Sequence, residues 1–327
     1  MTNLNQYELS RMLGSQMLPT KGVRFGGFGL LQTTAEVLQA QERFRDRAGD
    51  EPEFDYEQDR LIVQAFEEVR DGSSTDALLW DRSLLVQFER RCRELGFDAP
   101  VRLLNRRLIN VRKNKTRYAK RGIVLSPTTR KEPKPSIVSQ YAPVVEFALV
   151  ALRYRFGASI DDILLDPALA EDFEQRVQEI APQLSGEDLR RAALYIRKSR
   201  FIKSREEHEI QGLNVGNVQS ALSPAEPLSK VDVESLPEQS GLVEVDEDDR
   251  HLYVVRIQSV RPLVRELVSG NVFRIVQNSF WTPDPSSITM RYVCGNRVAG
   301  VSLQKWEHRL IHDYDPVFNW PMHKMAL

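Results

Sequence analysis

A chain of 327 residues is longer than one typical domain and predicts two or three packed units. With 41% hydrophobic and 28% charged residues it is too apolar for a disordered protein, and no apolar run reaches the length of a membrane span. Cys92 and Cys294 stand far apart, which argues against a disulfide framework or a structural zinc site and points to a soluble protein of the reducing cytoplasm.

Lys and Arg number 45 against 46 Asp and Glu, but the charge is unevenly placed along the chain. Residues 1–32, with Gly22, Gly26, Gly27 and Gly29 close together, show neither a sustained period nor an export signal and read as an irregular arm. Residues 33–135 read as an acidic and then basic helical region. Val37, Leu38, Ile62, Phe66 and Val69 fall at helical spacing between acidic faces, and a second helix over 78–95 is stopped by Gly96.

The strongest charge run follows, over 102–134, and includes Arg106, Arg107, Arg112, Lys113, Lys115, Arg117, Lys120 and Arg121, with Tyr118 among them. Its second half, 126–135, is rich in proline and turn residues and predicts an exposed connector. Residues 136–210 predict a helical bundle. Its centre is the nearly continuous apolar stretch 141–156, followed by amphipathic helices over 160–165, 169–180 and 189–202. The last of these ends in a second basic cluster, Arg197, Lys198, Arg200 and Lys203, around Phe201.

Cations that neutralise phosphate, interleaved with an aromatic residue that stacks on a base, suit DNA or RNA. The same cations equally suit acidic protein, including this chain's own acidic segment over 36–71. Residues 211–240, with Gly212, Gly216, Pro224, Pro227 and Pro237, predict a linker. Beyond it the period changes to that of strands. A hairpin is expected over 242–257, a helix from Ser259 to about 268, a strand over 287–293 and a helix over 302–312, which makes a small ββ-α-β-α unit. The predicted fold class is therefore mainly α for the N-terminal two-thirds, with a small α+β C-terminal domain over 241–327.

Within that unit Gly241-Leu242-Val243, Leu252-Tyr253-Val254-Val255, Glu307-His308-Arg309-Leu310-Ile311 and Pro316-Val317-Phe318-Asn319 occur in sequence. In order and spacing they resemble the motifs of the GIY-YIG nuclease family over about residues 241–320. No family resemblance is seen for residues 1–210. The resemblance implies a metal-binding carboxylate at Glu307, holding Mg or Mn, a surviving tyrosine at Tyr253 and an orienting amide at Asn319. It also implies losses, because the family's first tyrosine falls at Val243, its glycine at Val255, its arginine at Leu263 and its histidine at Leu267. None of these can move a proton or hold a phosphoryl oxygen.

The expected protein is thus a non-catalytic nucleic-acid-binding or adaptor subunit, needing no cofactor, whose protein partner supplies catalysis in a defence, repair or mobile-element setting. The alternative is a divergent metal-dependent nuclease built on Tyr253, Glu307 and Asn319. His251, His308, His312 and His323 offer a second, weaker metal candidate. The same residues also fit an unrelated α+β domain in which Tyr253 and Phe318 are core, Glu307 is solvated and Asn319 caps a turn.

Overall fold

The computed structural model describes residues 55–97, 99–130, 138–199, 204–248, 250–275 and 286–319. The expected arm over 1–32, the acidic stretch before residue 55, and Arg200, Phe201, Lys203 and His323 lie outside the described residues.

The protein is mainly helical, with a small antiparallel sheet in its C-terminal region. Helix α1 (Tyr56–Val69) starts where Asp55 and Gln58 cap each other's backbone N–H groups, and its stripe of Ile62, Val63 and Phe66 is buried. The helix expected over 78–95 is split. Residues Thr75–Leu79 form a 3₁₀ turn with Leu78 and Leu79 fully buried, and Asp81 then accepts the Leu84 N–H to start α2 (Arg82–Glu94) afresh. Gly96, at φ +93°, supplies the left-handed residue that ends it.

The first basic run is carried by α3 (Val101–Lys113) and α4 (Lys115–Ala119). Helix α5 (Val138–Phe156) is buried on nearly all sides from Val144 to Leu152, as its continuous apolar sequence predicts. Around it lie α6 (Ile160–Leu165), α7 (Pro167–Gln178) and α8 (Gly186–Ser199).

Residues 211–240, read as a linker, are built into the fold. After α9 (Ser204–Gln211) come α10 (Gly216–Gln219) and the short strand β1 (Glu226–Pro227), with Val218, Leu228, Val231 and Leu236 buried. Few but regularly buried apolar side chains make this a strap across the C-terminal unit.

The hairpin of β2 (Gly241–Glu247) and β3 (Arg250–Ile257) is followed by α11 (Val260–Val268), α12 (Asn271–Arg274), β4 (Ile288–Cys294), the small hairpin β5 (Arg297–Val298) and β6 (Val301–Ser302), and α13 (Leu303–Tyr314). The main sheet runs β1-β4-β2-β3, with β3 at one edge. Val243 pairs with Val255 and Val245 with Tyr253; a bulge after Val245 then sets Asp246 opposite His251. A side chain on Gly241 would meet the Val293 carbonyl at 2.7 Å and Val260 at 2.7 Å, so close packing alone requires glycine there.

Side chains alternate across the sheet. Val243, Val245, Tyr253 and Val255 join the large core that includes α5, whereas Leu242 and Val254 pack with Trp306 and Leu310 of α13. Phe147 of α5 is the keystone: its ring stacks on Phe318 at 4.4 Å and meets Tyr253 edge-on at 5.1 Å. One hydrophobic core thus runs from Ile62 to Phe318 across the two predicted units.

Candidate nucleic-acid interface and the nuclease-like positions

The three residues assigned to chemistry by resemblance do not converge. Tyr253 is fully buried on the α5 side of the sheet, where its hydroxyl donates to Glu146 at 2.9 Å. Glu307, on α13, lies on the opposite side, and its Oε1 accepts the Arg256 N–H at 2.9 Å. Asn319 lies flat against the edge of β3: its Oδ1 accepts the Val254 N–H at 2.8 Å and its Nδ2 donates to the Val254 carbonyl at 2.7 Å. The Phe318 N–H adds a bond to the Leu252 carbonyl at 2.8 Å. An edge strand leaves every second residue's N–H and C=O unpaired, and these side chains, 4% and 6% exposed, close that edge. Of the alternative roles, Tyr253 and Phe318 are indeed core, while Glu307 is buried and not solvated.

The positions read as lost are core as well. Val243, Val255, Leu263 and Leu267 are between 0% and 2% exposed. The neighbouring arginines are held elsewhere: Arg261 donates to the Leu236 carbonyl and to Glu238, and Arg265 donates to Glu234. The surroundings of Glu307 do not fit a divalent Mg or Mn ion: one carboxylate oxygen already takes a backbone N–H, and among the described residues Glu307 belongs to no group of three or more acid, imidazole or thiol ligands.

Acid and imidazole do gather at the far end of the hairpin. Ligand atoms of Glu244, Asp246 and His251 lie within 4.8 Å of one another. His251 Nδ1 is 2.7 Å from Asp246 and 3.3 Å from Glu244, and its ring stacks on Tyr314 at 3.7 Å. Burial opposes the charged imidazole, but hydrogen bonds and charge from Asp246 and Glu244 outweigh it and raise its pKa to about 9. The fully buried Glu244 accepts no hydrogen bond of good geometry, yet Arg291 Nη2 lies 2.9 Å from it. Two acidic side chains thus face Arg291 and the imidazole of His251. The other histidines are elsewhere: His308 Nε2 bonds the Ser199 carbonyl at 2.8 Å, and His312 sits beside Asp313. The cross-strand pairing of Asp246 with His251 depends on the bulge after Val245, which no local sequence signal marks.

The two basic runs do meet, over buried acids. Arg112 and Arg197 bond Asp76, Lys198 lies 3.2 Å from it, and Arg197 and Lys113 reach Asp161. Burial pushes the Asp76 pKa up, but Arg112, Arg197 and Lys198 together hold it below the usual carboxylate value. Arg107 is likewise taken, gripping Asp59 with two bonds of 2.9 and 2.6 Å, so part of the acidic segment does meet the basic run. Arg106 is half-buried.

What remains as exposed positive charge is the end of that run. Lys115, Arg117, Lys120 and Arg121 are exposed and have no carboxylate partner among the described residues, and Lys113 and Lys198 are half in solvent while reaching Asp161 and Asp76. Tyr118, read as a stacking residue, is 7% exposed with its hydroxyl on Asp59 and does not present a face to a base. Phe201 of the second run lies outside the described residues, and Tyr195, two residues before that run, is 43% exposed. Set against protein-family models, characterised proteins and solved structures, this chain matches none. Among the described residues, no helix is long and apolar enough to cross a membrane.

Proposed function

We propose that this protein is a non-catalytic nucleic-acid-binding or adaptor subunit, held to DNA or RNA by the basic end of its helical part and carrying a degraded GIY-YIG-like domain as a packed scaffold. The observation that carries this reading is the group Lys115, Arg117, Lys120 and Arg121, exposed within one short stretch and without a carboxylate partner among the described residues. In the rest of the two basic runs Arg107, Arg112, Arg197 and Lys198 are matched to Asp59, Asp76 and Asp161, so this exposed end is the part of the runs open to a phosphate backbone.

The nuclease-like positions favour the same reading. Tyr253 and Glu307 lie on opposite faces of the sheet, and Glu307 and Asn319 bond backbone of β3. Cleavage in its cytoplasmic setting of defence, repair or mobile-element chemistry then falls to a protein partner.

The test is a gel shift and a cleavage assay on labelled single- and double-stranded DNA and RNA, with Mg²⁺ or Mn²⁺ against EDTA. Binding is expected to survive EDTA and to fall with salt. Four phosphate contacts give a duplex-DNA slope of about −3.6, or roughly a 100-fold loss between 50 and 200 mM salt. Metal-dependent cleavage that Glu307→Ala abolishes would overturn the reading in favour of a divergent nuclease.

A further inference from the structure

Among the four exposed cations, two are not mobile surface charges. Arg117 donates through Nε to the Tyr56 hydroxyl at 2.9 Å, and its guanidinium carbon lies 5.8 Å from the centre of the Tyr56 ring. Arg121 covers the same ring at 4.5 Å. Tyr56 itself is fixed, half-buried at the start of α1 with its ring edge-on to the buried Tyr118 at 5.8 Å. The backbone of Arg121 is held too, since Arg60 donates to its carbonyl at 3.4 Å. Ile123, 2% exposed, anchors the chain two residues on.

Resting on the reading above, we propose that Tyr56, Arg117 and Arg121 form a preorganised clamp for the phosphodiester backbone of nucleic acid, and that it reads phosphate without reading bases. A guanidinium presents a planar fork of N–H donors that matches phosphate oxygens, and cation–π stacking leaves part of that fork facing outward. Holding two such groups before the ligand arrives removes most of the ordering entropy that a flexible lysine loses on binding. The faces that would stack on bases are not offered here: Arg121 covers Tyr56 and Tyr118 is buried. The clamp therefore recognises a regular backbone and is indifferent to base composition.

The experiment is fluorescence anisotropy of the full chain on 20-bp duplexes of mixed and of A·T-only sequence. It compares wild type, Tyr56→Phe, the pair Arg117→Gln/Arg121→Gln and the pair Lys115→Gln/Lys120→Gln, each shown folded by circular dichroism. The two pairs remove equal charge. The clamp predicts that the arginine pair weakens binding about tenfold more than the lysine pair, and that both duplexes bind alike. Tyr56→Phe keeps the ring but removes the acceptor of Arg117, so it is expected to weaken binding about threefold with the salt slope unchanged. Equal losses in the two pairs, with wild type still binding, overturn the clamp and leave the nucleic-acid reading standing. Failure of the wild type to bind any duplex or single strand removes both. Vesicles of phosphatidylglycerol that compete at equal phosphate concentration, with the same dependence on the arginines, overturn the nucleic-acid assignment of the clamp in favour of a lipid headgroup.

Discussion

Replacing Asn319 with alanine tests whether the nuclease-like residues are now structural. In the wild type its carboxamide makes two short bonds to the N–H and C=O of Val254, with the side chain 4% exposed. Alanine removes both bonds and leaves a donor and an acceptor on a strand edge covered by residues 317–319. Each of the two buried groups left unpaired costs about 1 to 3 kcal/mol, about 2 to 6 kcal/mol together, which water reaching the edge reduces. A loss of about 2 to 4 kcal/mol is expected. Asn319→Asp sharpens the test, because it preserves shape and can still accept the Val254 N–H, but it sets a second carboxylate oxygen against the Val254 carbonyl. It is expected to destabilise at least as much as alanine at neutral pH and less in acid, where the protonated group donates again. Urea unfolding followed by circular dichroism gives the numbers. If both variants unfold like the wild type while nucleic-acid binding or cleavage changes, Asn319 is a ligand-handling residue and the edge-closing role is refuted.

The histidine at the hairpin end predicts a dependence on alkaline pH. Its folded pKa of about 9 stands above its ordinary 6.5, so its contribution is complete below pH 6.5 and is lost as pH rises through about 9. The difference sets an upper bound of about 3 kcal/mol, reduced by solvent screening of the partly exposed ring, and the midpoint of thermal unfolding is expected to fall between pH 7 and 10 in the wild type but much less in His251→Gln. A flat wild-type profile would show that Asp246 and Glu244 do not hold the imidazolium. Asp76 gives the opposite sign. Its folded pKa is lowered, so its stabilisation is present above the ordinary value of 3.8 and disappears as pH falls through the folded value. Asp76→Asn, which strands Arg112 and Lys198 and leaves Arg197 only Asp161, should cost about 3 kcal/mol at pH 7, with wild type and variant converging in strong acid; equal stability at pH 7 would place those cations in solvent.

Local signals on this chain were dependable where one residue's chemistry acts on its own neighbours. The helical stripes of α1, α5 and α8, the stop at Gly96, the hairpin over 242–257 and helix α13 all follow from period and propensity within a few residues. The mainly helical class with a small antiparallel sheet followed from the same pattern. Tertiary structure decided what the sequence left open, and in each case through a contact between distant residues. Asp76 and Asp161 draw Arg112 and Arg197 together from separate helices, so which cations stay available depended on acids up to 121 residues away. The strap over 211–240 is ordered because β4 leaves an edge for Glu226 and Pro227 to join. Glu307 and Asn319 carry residue types suited to a nuclease, but their partners were fixed only when β3 became the edge strand and α13 crossed it. Parity alone then set Tyr253 on the far side of the sheet, against Phe147 and Glu146 of a helix more than 100 residues earlier. Sequence spacing names candidate side chains; the face each one occupies, and the charge left over once near neighbours are satisfied, exist only in the packed molecule.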